Sequence, residues 1–211
     1  MTLPEPTVYI VDDDAAVRDS LAWLLSSVML PVKAFASADE FLAALEPEPT
    51  GCVLIDVRMP GTSGLQLQEI LKDRAANLSV IIVTGHADVP MAIRAMKAGA
   101  VDFVEKPFND QQVLELVAKA MEKNTRAVRQ IAQNDEIRGR YGTLTPREIE
   151  VFRGLIAGLP NKAIAADLGL SQKTVEIHRS KVMKKMRAKS FAELVAMASN
   201  LRLTKESSYS S

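Results

Sequence analysis

Val8-Tyr9-Ile10-Val11-Asp12-Asp13 joins four strand-forming residues directly to two acids. Three later stretches repeat the arrangement. Cys52-Val53-Leu54-Ile55 ends at Asp56, and Val80-Ile81-Ile82-Val83 ends at Thr84. Val101-Asp102-Phe103-Val104-Glu105 ends at Lys106. Short, continuously apolar runs read as strands covered on both faces. In an open parallel α/β sheet, ligands and chemistry gather at the carboxyl ends of the strands. Three acids, a hydroxyl and an ammonium at such ends are too many polar groups for an edge that is merely packed.

Working outward, five runs (7–11, 31–35, 51–55, 80–83 and 100–105) alternate with segments of helical period. Val17, Leu21, Leu24 and Val28 mark one apolar stripe, and Phe41, Leu42 and Leu45 a second. Leu65, Leu67, Ile70 and Leu71 mark a third, Ile93 and Met96 a fourth. The fifth carries Val113, Leu114, Leu116, Val117 and Met121. Repeated βα units with short links imply right-handed crossovers and a five-stranded parallel sheet over residues 5–123.

From 124 to 142 the apolar residues thin out to Val128, Ile131 and Ile137, followed by Gly139 and Gly142. This composition suits a helical linker that also has the means to pair with a second copy. Beyond it, residues 143–205 read as a small all-α domain of four helices. Thr145-Pro146-Arg147-Glu148 is a capping box with proline at the first helical position. Its helix places Ile149, Phe152 and Ile156 inward and stops at Gly158 and Pro160. A helix over 162–168, a Gly169 turn and a helix over 171–187 have the dimensions of a helix-turn-helix. Ser190-Phe191-Ala192-Glu193 reads as a second capping box that starts a helix over 191–201, and Ser207 to Ser211 as a frayed end.

The net charge of zero hides an asymmetry. Residues 1–140 hold 14 Lys+Arg against 20 Asp+Glu, and residues 141–211 hold 12 against 6. Ser171 to Lys189 alone has seven basic residues and one acid. Oppositely charged halves point to two domains with different partners, the alternative being a solvated helix face. No apolar stretch approaches the ~20 residues of a membrane helix. Met1-Thr2-Leu3-Pro4-Glu5 has neither the basic start nor the apolar run of a secretory signal. One cysteine, Cys52, lies in an expected buried strand, which fits a reducing, cytoplasmic setting.

Asp12, Asp13 and Asp56 forced together repel one another. Two unit charges about 4 Å apart cost on the order of 4 kcal/mol at an effective dielectric near 20. Either one acid stays protonated or a cation resides among them. Oxygen-only donors with open space favour Mg²⁺, which keeps several waters and pairs with phosphate. A carboxylate there can act as a nucleophile on a phosphoryl group. Lys106 adds a positive point and Thr84 a hydrogen-bond donor. Asp14 suits a plain helix cap.

At these residues the chain resembles two-component response regulators of the FixJ/NarL group. Val11-Asp12-Asp13, Asp56-Val57-Arg58-Met59-Pro60-Gly61, Thr84-Gly85-His86 and Glu105-Lys106-Pro107-Phe108 carry the resemblance to a receiver domain. Leu144-Thr145-Pro146-Arg147-Glu148, Gly158-Leu159-Pro160-Asn161-Lys162 and Thr174-Val175-Glu176-Ile177-His178 carry it to a LuxR-type domain. The resemblance implies a doubly wound, flavodoxin-like receiver followed by a four-helix DNA-binding domain. It implies that Asp56 is phosphorylated by a sensor histidine kinase. Asp13, Asp56 and the main-chain carbonyl of Arg58 would hold Mg²⁺, with Asp12 assisting through water. Lys106 would contact the phosphoryl group, the Lys106–Pro107 bond would be cis, and Thr84 and Phe103 would form the switch pair.

In the second domain, Lys173, Thr174, Arg179, Lys181, Lys184 and Lys185 supply donors around helix 171–187, and Asn161 and Lys162 add to them. Val175, Ile177, Val182, Met183 and Met186 supply its apolar side. Lysine and arginine contacts to phosphate give salt-sensitive affinity, while few side chains read base edges. By the resemblance, Glu176, Ile177 and Ser180 face bases of double-stranded DNA. Glu176 has two open roles, accepting from cytosine N4 or pairing with a basic neighbour. His178 reads as a packing or phosphate-facing group. Helix 191–201, with Leu194, Val195, Met197 and Ala198, resembles the dimerisation helix of the group. A phosphorylation-gated transcription factor that forms a homodimer is the leading expectation. A phosphatase would need an acid at Arg58, and no nucleotide-binding glycine loop is present. A constitutive DNA binder with a scaffolding first domain is the other rival.

Overall fold

A computed structural model describes residues 5–74, 77–85 and 89–201. His86 and the expected domain end and frayed tail at 202–211 lie outside the described residues. The chain divides into two compact units, 1–129 and 130–211.

The first unit alternates strand and helix: β1 Thr7–Val11, α1 Ala15–Ser27, β2 Val32–Phe35, α2 Ala38–Ala44, β3 Gly51–Asp56, α3 Gly64–Asp73, β4 Leu78–Thr84, α4 Val89–Lys97 and β5 Asp102–Glu105. Helix α5, Asp110–Gly142, follows and belongs to this unit as far as Arg129. The strands pair in parallel in the order β2-β1-β3-β4-β5. Side chains alternate across a strand, and here both sides are covered. Val8, Ile10, Cys52, Leu54, Ile81 and Val83 enter the core shared with α1 and α5. Tyr9, Val11, Val53, Ile55, Val80 and Ile82 enter the core shared with α2, α3 and α4. Two covered faces explain why the central strands read as unbroken apolar runs.

Several elements depart from the periodic reading. Strand β4 starts at Leu78, and β5 starts only at Asp102, although Val101 is already buried with its N–H donating to Val80 (2.7 Å). Val28 caps α1 and is exposed, and Leu25 takes the buried position. Ile93 and Met96 lie in α4 as expected but are exposed, and Ala95 is the buried residue. The small Ala95 lets α4 approach α3, where buried Gln68 donates to the Ala95 carbonyl (2.9 Å). Serine 63 and Gln66 form a capping box at the start of α3, a reciprocal pair absent from the expectations.

The second unit contains the end of α5 and helices α6 Pro146–Ile156, α7 Asn161–Leu168, α8 Gln172–Met186 and α9 Phe191–Asn200. Segment 124–142 is helical over its whole length and contributes buried Ile137 to this unit's core. Val151, Phe152 and Leu155 of α6 are buried with Val175, Val182 and Met186 of α8, whereas Ile149 and Ile156 are only half-buried. The Thr145–Glu148 capping box is present. At α9 Ser190 caps the Glu193 N–H, but Glu193 accepts from Lys189 rather than Ser190, so the box is not reciprocal. Gly169 ends α7 in the left-handed region (φ 63°), where glycine carries no Cβ penalty.

Candidate functional site

The polar strand ends of the first unit converge because the parallel register aligns them. Val11 lies opposite Ile55, Asp56 opposite Val83, and Thr84 opposite Glu105. Asp12 is 1% and Asp56 5% exposed. The Lys106 ammonium donates to both, to Asp12 Oδ2 at 2.6 Å and Asp56 Oδ1 at 2.8 Å. The other oxygens are also used: Asp12 Oδ1 accepts from the Asp14 N–H (2.9 Å), and Asp56 Oδ2 from the Arg58 N–H (2.6 Å). Lys106 is held in turn through its own N–H, which donates to the Thr84 carbonyl (2.8 Å), and its bond to Pro107 is cis.

The electrostatics follow from two buried acids sharing one base. Burial pushes the Asp56 carboxyl above its ordinary value, against the hydrogen bond and charge of Lys106, and Asp12 adds to the rise. Burial opposes the charge on Lys106, but the bonds and charges of Asp12 and Asp56 outweigh it and raise its pKa. The ammonium is well compensated, and Asp56 only in part.

Asp13 and Arg58 are exposed, with only the Arg58 backbone N–H drawn onto Asp56. Thr84 is buried and Phe103 is 37% exposed, and both line a small cavity with Ile82, Met91 and Ala92. Asp14 caps α1 by accepting from Ala16. Among the described residues, no three His, Cys, Asp or Glu side chains converge as a ready-made metal cage. Mg²⁺ does not require one, since it binds through one or two carboxylates plus waters and substrate phosphate. The all-oxygen donor set of Asp12, Asp13, Asp56 and the Arg58 carbonyl fits that chemistry.

Two supporting residues gave no periodic signal. Arg18 donates from Nη1 to the Asp12 carbonyl (2.6 Å). Gly64 lies so close under the site that a Cβ there would meet the Asp56 carbonyl oxygen at 2.1 Å.

In the second unit, α7, the Gly169 turn and α8 form the expected helix-turn-helix, and Ser171 caps α8 by accepting from Thr174. Lys173, Glu176, Ile177, Ser180, Lys181 and Lys184 are exposed on α8, as is Lys162 on α7. Ile177, expected on the packing side, is 50% exposed. Thr174, Arg179 and Asn161 are half-buried, and Arg179 donates to Asn161 Oδ1 (3.4 Å). Lys185 is not a free donor: its ammonium is bound by Glu148 (2.6 Å) and the Thr143 carbonyl (2.9 Å). Half-buried His178 keeps a buried Nδ1 with no hydrogen-bond partner among the described residues, which fits packing. On α9, Leu194, Met197 and Ala198 are buried in this unit's own core, and Val195 is half-buried.

Residues 8–118 match the response regulator receiver domain, and residues 142–198 match the luxR family of bacterial regulatory proteins. The chain is 48% identical to transcriptional regulatory protein FixJ of Rhizobium meliloti over 91% of this chain and 94% of that protein. It is 45% identical to nodulation protein W of Bradyrhizobium diazoefficiens, over 93% and 87%. The structure of the response regulator StyR superposes with a TM-score of 0.83 at 39% identity, covering 92% of this chain and 98% of that one. Full-length FixJ from B. japonicum gives 0.58 at 43% identity, over 95% and 99%. A parallel five-stranded receiver joined to a helix-turn-helix defines a two-component transcriptional regulator. The chain belongs to the FixJ-like response regulators, with a receiver domain and a LuxR-type DNA-binding domain.

Proposed function

We propose that Asp56 accepts a phosphoryl group from a sensor histidine kinase, and that this event gates DNA binding by α8. The carrying observation is the Lys106 ammonium shared between buried Asp12 and Asp56 at the ends of β1 and β3. Asp56 is the acid that ends a fully buried strand, with Oδ1 on the ammonium and Oδ2 on a backbone N–H. Asp12, Asp13, Asp56 and the Arg58 main-chain carbonyl would hold Mg²⁺, which when bound offsets charge on the transferring phosphoryl oxygens. Lys106 supplies the second positive charge, and the work of the site is positioning and charge stabilisation. Thr84 and Phe103, on one cavity, act as the switch pair that registers the phosphoryl group.

The receiver spans 5–123, the helical linker 124–142 and the DNA-binding domain 143–205. Lys173, Thr174, Arg179, Lys181 and Lys184, with Asn161 and Lys162, contact the DNA backbone, and Glu176, Ile177 and Ser180 face base edges. Phosphorylation shifts a pre-existing equilibrium towards a homodimer that sets two such helices over paired half-sites. The phosphoryl group serves as a signal rather than an intermediate in turnover, and the protein works in the cytoplasm without a membrane partner.

The test is intact mass after incubation with a small phosphodonor and Mg²⁺, with Asp56→Asn alongside. A Mg²⁺-dependent phosphoryl adduct on the parent alone supports the assignment. An equal adduct on Asp56→Asn sinks it.

A further inference from the structure

The motif Thr145-Pro146-Arg147-Glu148 does more than start a helix. Arg147 Nη1 is fixed by Glu150 (2.6 Å), and its Nη2 donates to the carbonyl of Leu168 (2.5 Å). Leu168 is the last residue of α7, immediately before the Gly169 turn. A guanidinium there satisfies a terminal carbonyl and complements the negative end of the helix. The next residue, Glu148, has a side chain only 4% exposed and accepts from the Thr145 N–H (2.8 Å) and from Lys185 of α8 (2.6 Å). Lys185 also donates to the Thr143 carbonyl (2.9 Å). One turn of α6 thus grips both helices of the helix-turn-helix, each through a charged group.

Apolar packing between α6 and α8 fixes their separation, but the hydrophobic effect is non-directional and leaves rotation and sliding loosely set. Charge-assisted hydrogen bonds have direction, and an arginine fork adds geometric specificity. On α8, Lys173, Ile177, Ser180, Lys181 and Lys184 follow the i, i+4, i+7, i+8, i+11 spacing of a single stripe. Lys185 lies off that stripe, three residues from buried Val182. The lysine used as an anchor is therefore distinct from those left free.

We propose that Arg147 and Glu148, with Lys185 as the anchored partner, are positioning residues for sequence reading: they set the angle of α7 and the rotation of α8 without touching DNA. The proposal rests on the reading of α8 as the helix that faces bases.

The test uses the full chain and a duplex selected from a random-sequence pool with the parent protein, against an unrelated duplex of equal length. Arg147→Lys keeps the charge but loses the planar fork that reaches Glu150 and the Leu168 carbonyl from separate nitrogens, and Lys185→Met removes the anchor. Both variants should bind the selected duplex about tenfold more weakly. Affinity for the unrelated duplex should stay within about twofold, with the same salt slope. Lys185→Arg, which retains a donor for Glu148, should behave as the parent. Affinities are taken per folded molecule, well below each variant's unfolding midpoint.

Lowered midpoints with both affinities unchanged would make the motif purely structural and overturn the proposal. Equal losses on both duplexes with a shallower salt slope would place these side chains on phosphate and overturn it as well. If Lys185→Met fails to fold, the milder Arg147→Lys decides alone. If the parent selects no sequence, phosphorylated or not, the reading of α8 falls and the proposal with it.

Discussion

Replacing Lys106 with methionine keeps most of the aliphatic stem and removes the ammonium. Two bonds are lost, at 2.6 and 2.8 Å, and Asp12 and Asp56 remain at 1% and 5% exposure. The lysine side chain is itself only 20% exposed, so solvent screening relieves little of the loss. Breaking a buried pair by removing one partner costs roughly 3–5 kcal/mol. Protonation sets a ceiling, because neutralising an ordinary aspartate at pH 7 costs about 4 kcal/mol at 1.36 kcal/mol per pH unit. The expected loss, without divalent cations, is therefore about 3–4 kcal/mol in the first unit.

Amide hydrogen exchange of β1 and β3 measures this loss and keeps it separate from the second unit, since these strands lie wholly in the first. In an Asp56→Asn background one acid is already neutral, and the same substitution should cost about half as much. Excess Mg²⁺ should restore part of the loss, because a ligand that binds only the folded state stabilises it. A loss below about 1 kcal/mol, or one unchanged in the Asp56→Asn background, would refute the argument that this ammonium compensates the two acids.

Gly64→Ala drives a Cβ to 2.1 Å from the Asp56 carbonyl oxygen and 2.8 Å from Ile55 Cγ2, so α3 must shift. A cost of about 3 kcal/mol is expected, with slower phosphoryl uptake in the mass assay; parent-like values of both would show that the contact relaxes freely. Asn124 is buried, accepting from the Gly51 N–H (2.8 Å) and donating to the Asn77 carbonyl (2.5 Å). Asn124→Leu orphans both backbone groups and should cost about 3 kcal/mol, seen as faster exchange at the Gly51 amide. In the second unit, the Lys185 hydrogen bond, followed by the Thr145 N–H, lowers the Glu148 pKa from 4.5 to about 2. A depressed carboxylate stabilises fully above its unfolded value and loses that contribution as pH falls through its folded value. The stability gap between the parent and Glu148→Gln should thus be constant above about pH 5 and close towards pH 2, as followed by exchange of α6 and α8.

What could be read before the structure depended on whether a local pattern determines its own surroundings. A strand apolar at every position must be covered on both faces, so β1, β3 and β4 and the doubly wound sheet were legible, and their polar terminal residues located the acid site. Helical stripes were weaker guides because periodicity marks a face without saying what covers it. Ile93 and Met96 mark a face of α4, but the sheet side is the one with Ala95. Leu194, Met197 and Ala198 of α9 form an apolar face as expected, yet it closes this unit's own core. Gly64 and Arg18 were invisible because their roles depend on approach in space, to Asp56 and Asp12, and not on any local spacing.

Charge counts fail for the same reason, and the lysines show it. Lys106, Lys185 and Lys181 are chemically alike, and composition alone treats them equally. Lys106 is bound between two buried acids, Lys185 is tied to one buried acid and a backbone carbonyl, and Lys181 is exposed on α8. Burial makes the first two costly to remove one-sidedly, since each would leave a carboxylate without its partner in a low-dielectric place. The exposed lysine has little to lose in folding stability and remains available to replace the counterions of a phosphate backbone. Substitution at Lys106 or Lys185 should therefore register first in folding free energy or geometry. Substitution at Lys181 should register in salt-dependent affinity across DNA sequences, with the unfolding midpoint unmoved.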